Sequence, residues 1–312
     1  MFKKNKILHA AVAILSVALT HQSEALESRP PMQPGNTTGS PLGALPPPGV
    51  YGNIETYLSG GNIENSLGND TGNKIAGAGI GAQMLYVPGL QILGASYGMS
   101  IIQPFNYSIF NGNNTGHGTN FSLGAYSTII VPEILSWNLG GGNFIGEGLA
   151  IHFPNGRFVY VSTPNGYKSS PVNDTNHYWT FEPNIAYTYL HNGWNVTLNN
   201  IFDFNATDEK THYHSGDTYY LDWTVLRRFG PIGLGVIGNY IQQFTNDTRF
   251  GNSVPDTSGP WFGNKFMHVG VGPIVTYQVG KAQLMLRYLY GIAGKNGGNQ
   301  SFLDVNVNFP IL

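Results

Sequence analysis

The chain has 312 residues with 42 Gly, 18 Tyr, 17 Phe, 5 Trp and no Cys, and only 10% of its residues are charged, against roughly 25% in ordinary usage. A soluble surface this poor in charge has little to keep it dispersed, and the formal charge of −2 argues against a nucleic-acid binder, which carries a basic face. Mean hydropathy is −0.13 and the one long apolar run lies at the N-terminus, which excludes a bundle of membrane helices, each needing about 20 consecutive apolar residues.

Residues 1–25 read as a secretory signal. Lys3, Lys4 and Lys6 form the cationic start, Ile7 to Leu19 the apolar stretch, and Ser23-Glu24-Ala25 a small-x-small cleavage site. A membrane anchor is the competing reading, but 13 residues at about 1.5 Å each fall short of a ~30 Å hydrocarbon core. Removal leaves 287 residues with a formal charge of −4. Residues 26–49 follow, with seven prolines in 24 positions. Proline removes backbone donors and favours extended geometry, so this stretch is expected to be a flexible periplasmic leader ending in the stiff collar Pro46-Pro47-Pro48-Gly49, with folding into a barrel mouth as the alternative.

From Tyr51 onward the sequence alternates with period two. Trp194, Val196, Leu198, Phe202 and Phe204 share one face; Asn195, Thr197, Asn199, Asp203 and Asn205 share the other, with Asn200 and Ile201 as exceptions. A strand separates such sets, whereas a helix mixes them. The pattern recurs at Trp179, Phe181, Ile185, Tyr187 and Tyr189, again at Tyr219, Leu221, Trp223 and Val225, and finally at Leu303, Val305, Val307 and Phe309, where Phe302 is out of phase. Strands are expected over 50–59, 74–87, 90–103, 119–138, 143–153, 174–190, 194–204, 214–229, 232–245, 266–279, 282–290 and 300–309. That is twelve; the interruption at Pro132 and Glu133 leaves ten or fourteen open.

The connections alternate too. Pro88-Gly89, Gly140-Gly141-Gly142, His191-Asn192-Gly193, Gly230-Pro231 and Gly280-Lys281 are short turns; 60–73, 104–118, 154–173, 205–213, 246–265 and 291–299 are longer and polar. Transmembrane β-barrels have short periplasmic turns and longer extracellular loops. A soluble sandwich would also alternate, but its outer face would carry many Lys and Glu; here the polar face is Asn, Thr, Ser and Gly. The fold class expected is therefore all-β, a transmembrane antiparallel barrel of the Gram-negative outer-membrane type occupying 50–312. Its physical driver is that every backbone N–H and C=O left unpaired in lipid costs several kcal/mol, so the sheet must close.

Several short motifs, in order, resemble one family. They are Leu45-Pro46-Pro47-Pro48-Gly49-Val50-Tyr51, Pro164-Asn165-Gly166-Tyr167, Asn176 with Trp179 and Pro183, Ala186-Tyr187-Thr188-Tyr189, Thr211 with Tyr213 and Ser215-Gly216-Asp217, Gln243 with Thr245 and Asp247, and Gly272-Pro273. The sequence is similar to the outer-membrane proteins described as involved in the meta-pathway of phenol degradation. That resemblance implies a barrel passing hydrophobic or aromatic compounds, with the outer-membrane bilayer around it and with periplasmic chaperones and the barrel-assembly machinery as partners in biogenesis. One departure is the C-terminus, which continues past Phe309 with Pro310-Ile311-Leu312, whereas many such barrels end on an aromatic residue.

Charges facing lipid at mid-depth cost about 2–4 kcal/mol for Arg, so parity and energetics both place Glu182, Asp203, Asp222, Arg228, His268, Arg287 and Asp304 in the lumen. There they form either a constriction field or salt-bridged filling. Glu147 shares parity with Ile145, Leu149 and Ile151, and requires a bulge or the rim. Loop aromatics Tyr107, Phe110, Tyr160, Tyr167 and Trp261 are candidates for stacking on an incoming molecule.

Other motifs carry less. Gly233-Leu234-Gly235-Val236-Ile237-Gly238 is a literal G-x-G-x-x-G, but it lies inside a strand and lacks the strand-to-helix setting of a dinucleotide site; close packing by small residues accounts for it. Gly94-Ala95-Ser96-Tyr97-Gly98 matches a nucleophile elbow without the helix that should follow, and makes Ser96 the basis of a membrane-embedded hydrolase reading. His212 and His214, near Asp208, Glu209 and Asp217, sit in a polar loop where solvated histidines are the commoner case than a metal site. No cofactor, metal or nucleic acid is expected. The leading reading is passive passage of a small hydrophobic or aromatic molecule; a closed structural or surface-binding barrel is the alternative, and the hydrolase a third.

Overall fold

The computed structural model describes residues 31–112, 118–164, 166–170, 173–254 and 265–312. Twelve antiparallel strands close into one barrel: β1 (Gly49–Glu64), β2 (Asp70–Val87), β3 (Ala95–Gly112), β4 (in two pieces, Gly118–Ala125 and Ile129–Gly140), β5 (Asn143–His152), β6 (Thr180–His191), β7 (Trp194–Asn205), β8 (Thr218–Phe229), β9 (Ile232–Gln243), β10 (Met267–Val279), β11 (Ala282–Lys295) and β12 (Gly297–Pro310). Each pairs with its neighbour in sequence. The seam is β1 against β12, in register from Tyr51↔Pro310 to Glu64↔Gly297. The residues beyond Phe309 lengthen that seam: the N–H groups of Ile311 and Leu312 donate to Val50 O, and Val50 N–H donates to Leu312 O.

Burial is inverted relative to a soluble protein. Leu198, Val225, Val236, Leu286 and Val305 are exposed, while Thr188, Thr197, Asn199 and Thr224 are buried. Both sets follow strand parity, apolar out and polar in, as lipid demands. Among the described residues there is no helix.

Strand ends depart from the sequence-based spans mainly at the long-loop side, and in both directions. At the long-loop end β1, β3 and β11 run on to Glu64, Gly112 and Lys295, and β2 and β12 start earlier, at Asp70 and Gly297. Pairing continues there because each strand still has a neighbour to bond. The expected loop 291–299 is thus strand, apart from a turn at Asn296, which takes φ 56°, a left-handed conformation Asn tolerates well. Conversely, β6 begins at Thr180 rather than 174, and β8 at Thr218 rather than 214. Within β4 the register slips between Ile130 and Glu133, a bulge at the prolyl interruption, since Pro132 has no N–H for the ladder.

Residues 31–45, expected as part of a free leader, lie inside the barrel, and Pro47 and Pro48 emerge exposed at its short-turn end. The chain runs from the long-loop half, where Met32 is buried among Ile201, Tyr220, Ile241 and Phe266, down to the short-turn end, where β1 begins. Proline-rich backbone lacks donors but not acceptors, and the inner wall supplies partners for both. Gly39 N–H donates to Thr224 Oγ1 (2.7 Å) and Gly43 N–H to Thr188 Oγ1 (2.9 Å), while Ser136 Oγ donates to Gly43 O (2.8 Å). Gly35 and Gly39 have φ of 71° and 86°. A Cβ at Gly39 would come within 2.6 Å of Ile274 and Met285 side chains, so this turn needs glycine for both its dihedral and its space.

Candidate functional site

The wall and the inner segment are locked by three charged side chains, Arg287, Asp222 and Asp304. Arg287 on β11, 2% exposed, donates from Nη1 to the carbonyls of Gly35 (3.3 Å), Asn36 (2.9 Å) and Thr38 (2.7 Å). Its Nη2 meets Glu55 Oε1 at 2.7 Å and Asp304 Oδ1 at 3.7 Å. Opposite it, Asp222 Oδ2 accepts from Thr37 N–H (3.0 Å) and Thr37 Oγ1 (2.7 Å), and Gln33 Nε2 donates to Asp304 Oδ1 (2.8 Å). A buried charge is tolerable only when paired and fully hydrogen-bonded, and here the plugging segment is the partner. The salt-bridged filling anticipated for the lumen therefore includes the chain's own leader.

Of the seven residues assigned inward by parity, six lie buried or half-buried on the inner face: Glu182, Asp203, Asp222, His268, Arg287 and Asp304. His268 is fixed between Asn239 (3.2 Å) and Gln300 O (3.0 Å). Arg228 has the same parity but is exposed near the short-turn rim. Glu147 is half-buried and borders the lumen cavity, with Leu135 of bulged β4 as one cross-strand partner.

What remains open inside is a cavity of about 390 Å³. Tyr57, Met32, Ile129, Val131, Ile201 and Phe266 give it apolar surface; Asn106, Asn184, Asn199, His152, Asp174 and Glu182 give it polar groups. Its roof at the long-loop end is built by residues 173–176, of which 174–176 were expected to open a strand. Instead Asp174, Thr175 and Asn176 turn inward and are buried. Asp174 Oδ2 accepts from Ser122 Oγ (2.7 Å) and pairs with Arg157 Nη1 (3.1 Å), and Arg157 also bonds Ser122. Thr175 Oγ1 is 2.6 Å from Ser127 Oγ, and Tyr126 donates its hydroxyl to Pro31 O, so roof, wall and inner segment meet here. Beside them His152 Nε2 lies 3.2 Å from Glu182 Oε2, and Tyr220 donates to Asp203 Oδ2 at 2.6 Å. Sequence reasoning missed His152, Asp174 and Tyr126. Their signal was weak, but two others were present: the phase exceptions Ile201 and Phe302 are inward apolar residues, Ile201 packed against Met32 and Phe302 in a cluster with Leu289 and Met285, which flank Gly35 and Gly39.

The loop aromatics fare differently from the expectation. Tyr107 is in β3, opposite the exposed Leu123, and so on the outer wall; Phe110 is 1% exposed in a small core with Ile63 and Ile75. Both were expected in the loop 104–118, but β3 continues through Pro104, which faces Gly81, as far as Gly112. Tyr160 and Tyr167 do lie in a loop hairpin. Lys210 Nζ sits 4.2 Å from each ring centroid, and Tyr160 donates to Asp208 (2.8 Å), so the pair is occupied in tying loops together. Trp261 lies outside the described residues.

The weaker motifs resolve structurally. Gly238 sits under Trp223, whose ring a Cβ would meet at 2.4 Å, and Gly235 lies 2.4 Å from Val225 O by the same measure; both permit close strand packing. Ser96 is exposed, paired with Gln91 and Ser136. His212 stacks on Phe250 at 4.7 Å, and among the described residues no three His, Asp or Glu side chains converge as a metal site.

Comparison with known families bears directly on this barrel. The family described as "Putative MetA-pathway of phenol degradation" matches residues 59–303. The chain belongs to this family. Among solved structures, the COG4313 outer membrane channel from Pseudomonas putida F1 superposes with a TM-score of 0.71 at 14% identity, covering 89% of this chain and 99% of that one. The β domain of the Bordetella autotransporter BrkA overlaps less well, with a TM-score of 0.49 at 13% identity, 83% of this chain and 99% of that one. Comparison with curated proteins gave no matching sequence. At this identity the likeness to the P. putida channel establishes the fold that the family shares with outer-membrane barrels.

Proposed function

We propose that the chain is an outer-membrane channel for passive passage of small hydrophobic or aromatic molecules, narrowed by its own N-terminal segment. The observation that carries this reading is the 390 Å³ internal cavity, half apolar in its named lining, enclosed by a sheet whose outer face is apolar. Binding cavities of a few hundred Å³ with a few placed polar groups suit small organic molecules. Family membership and the outer-membrane barrel fold support it. Residues 1–25 fit as the export signal, with periplasmic chaperones and the barrel-assembly machinery acting during biogenesis. Twelve strands make a narrow lumen, and the inner segment narrows it further, which favours selective passage over general diffusion.

Purified protein reconstituted in liposomes is expected to accelerate entry of small aromatic alcohols over protein-free vesicles. Equal entry with and without protein would overturn the proposal. The alternative, a permanently closed structural barrel, draws on the hydrogen-bonded inner segment and predicts that second result. A hydrolase reading gains no support from Ser96, which is exposed on β3, away from the buried His152 and His268.

A further inference from the structure

The cavity has a charge pattern that a channel for neutral molecules does not need. Glu55, Glu147, Asp174 and Glu182 border it, and no Lys or Arg does among the described residues. Two of these carboxylates are compensated by guanidinium groups that do not line the cavity: Glu55 by Arg287 at 2.7 Å and Asp174, on one oxygen, by Arg157 at 3.1 Å. The others are not so matched. Glu182 lies 3.2 Å from His152, outside hydrogen-bond geometry, and its other neighbour is a second carboxyl, Asp203, which is hydrogen-bonded to it.

Several polar atoms are also left over. The Asp174 side chain is fully buried with Oδ1 unpartnered, His152 is 4% exposed with neither ring nitrogen in a hydrogen bond, and Glu182 Oε2 likewise has none. All three residues line the cavity, and the Glu182 side chain is the most accessible of them. Buried polar atoms are ordinarily paired, and each exception asks for an explanation. Beside them Met32, Ile201 and Phe266 present apolar surface.

Resting on the passage reading, we propose that this cavity binds molecules in which an apolar body carries a protonated amine, the body lying against Met32, Ile201 and Phe266 and the ammonium donating to the Glu182 carboxylate. An ammonium has three donors and no acceptor, which matches an acceptor-rich site. A carboxylate ligand would meet like charge and is excluded by it. A neutral alcohol can enter but leaves the excess negative charge unmatched.

Three probes with one body test this: 4-phenylbutylamine, 4-phenylbutanol and 4-phenylbutyrate, titrated calorimetrically into the full mature protein in nanodiscs, with empty nanodiscs as the blank for lipid partitioning. The amine is expected to bind at least roughly tenfold more tightly than the alcohol, with the carboxylate not detectable. Glu182→Gln is expected to weaken the amine about tenfold and so to narrow the amine-over-alcohol preference to near parity. An alcohol that binds as well as the amine overturns the assignment, as does an amine affinity indifferent to E182Q. The three-probe comparison needs no variant and decides the question even if E182Q fails to assemble. Liposome entry of the alcohol separates the two proposals: entry without an amine preference sinks only the amine site, whereas no entry sinks the passage reading.

Discussion

Arg287 shows how a single side chain can hold two parts of a barrel together. Its guanidinium bridges Glu55 and Asp304 on the wall to three carbonyls of the inner segment. Removing one member of a buried ion pair typically costs about 3–5 kcal/mol, because the remaining charges lose their compensation. Arg287→Met is therefore expected to lower stability by about that amount, read by thermal denaturation in detergent, and to raise single-channel current as residues 35–38 loosen. Unchanged current with reduced stability would mean that Asp222 and the threonines hold the segment unaided. The inward parity of Arg287 was legible in sequence from its alternation with Leu286 and Tyr288. Its partners were not, since backbone carbonyls of a distant proline-rich stretch leave no mark on a strand pattern.

At the level of elements, the strands were the readable part and the long loops the unreadable one. Period-two alternation gave β7, β9 and β10 to within two residues, because lipid imposes the same rule on every residue that faces it. It could not stop β1, β3 or β11 at the right place, since strand pairing persists beyond the bilayer where apolar residues are no longer required. The loop that holds Asp247 illustrates what pattern misses. Asp247 accepts from Gly216 N–H (2.7 Å), Tyr213 Oη (2.8 Å) and Gln243 Nε2 (2.8 Å), drawing the β7–β8 and β9–β10 connections together. Burial nonetheless pushes its carboxyl above the ordinary 3.8, outweighing those hydrogen bonds. The folded loop thus holds the proton more tightly than the unfolded one. Its contribution to stability is full below the unfolded value and is lost as pH rises through the elevated folded value. Amide exchange at Tyr213 and Gly216, corrected for intrinsic rates, is expected to slow as pH is lowered through that window, and Asp247→Asn to flatten the dependence. Protection that grows with rising pH would contradict this.

Taken as a whole, the molecule is a filled cylinder, and the filling is the feature least visible beforehand. Seven prolines in residues 26–49 suggested a chain that satisfies its polar groups in water. In fact Thr188, Thr224, Ser136 and Asn195 of the wall take that role, and these look like any other lumen-facing polar residues. Only the out-of-phase Ile201 and Phe302 hinted that something apolar lay inside. Deleting residues 33–45 is expected to leave a barrel that still assembles, since the twelve-strand ladder is complete without them, and to raise ion conductance in planar bilayers well above that of the intact protein. A deletion with unaltered conductance would place the narrowest point elsewhere, at the roof formed by Asp174 to Asn176.

The way this filling is enclosed constrains how the molecule can be made. Once Tyr51 has met Pro310 across the seam, adjacent strands are bonded all round and leave no slit through which a polypeptide could be fed sideways. Residues 33–45 must therefore be gathered in before the two edges join, or drawn lengthwise through an end. On the first route, sealing and stuffing become one event, in which β12 closes on β1 and shuts in the segment that precedes β1 in the chain.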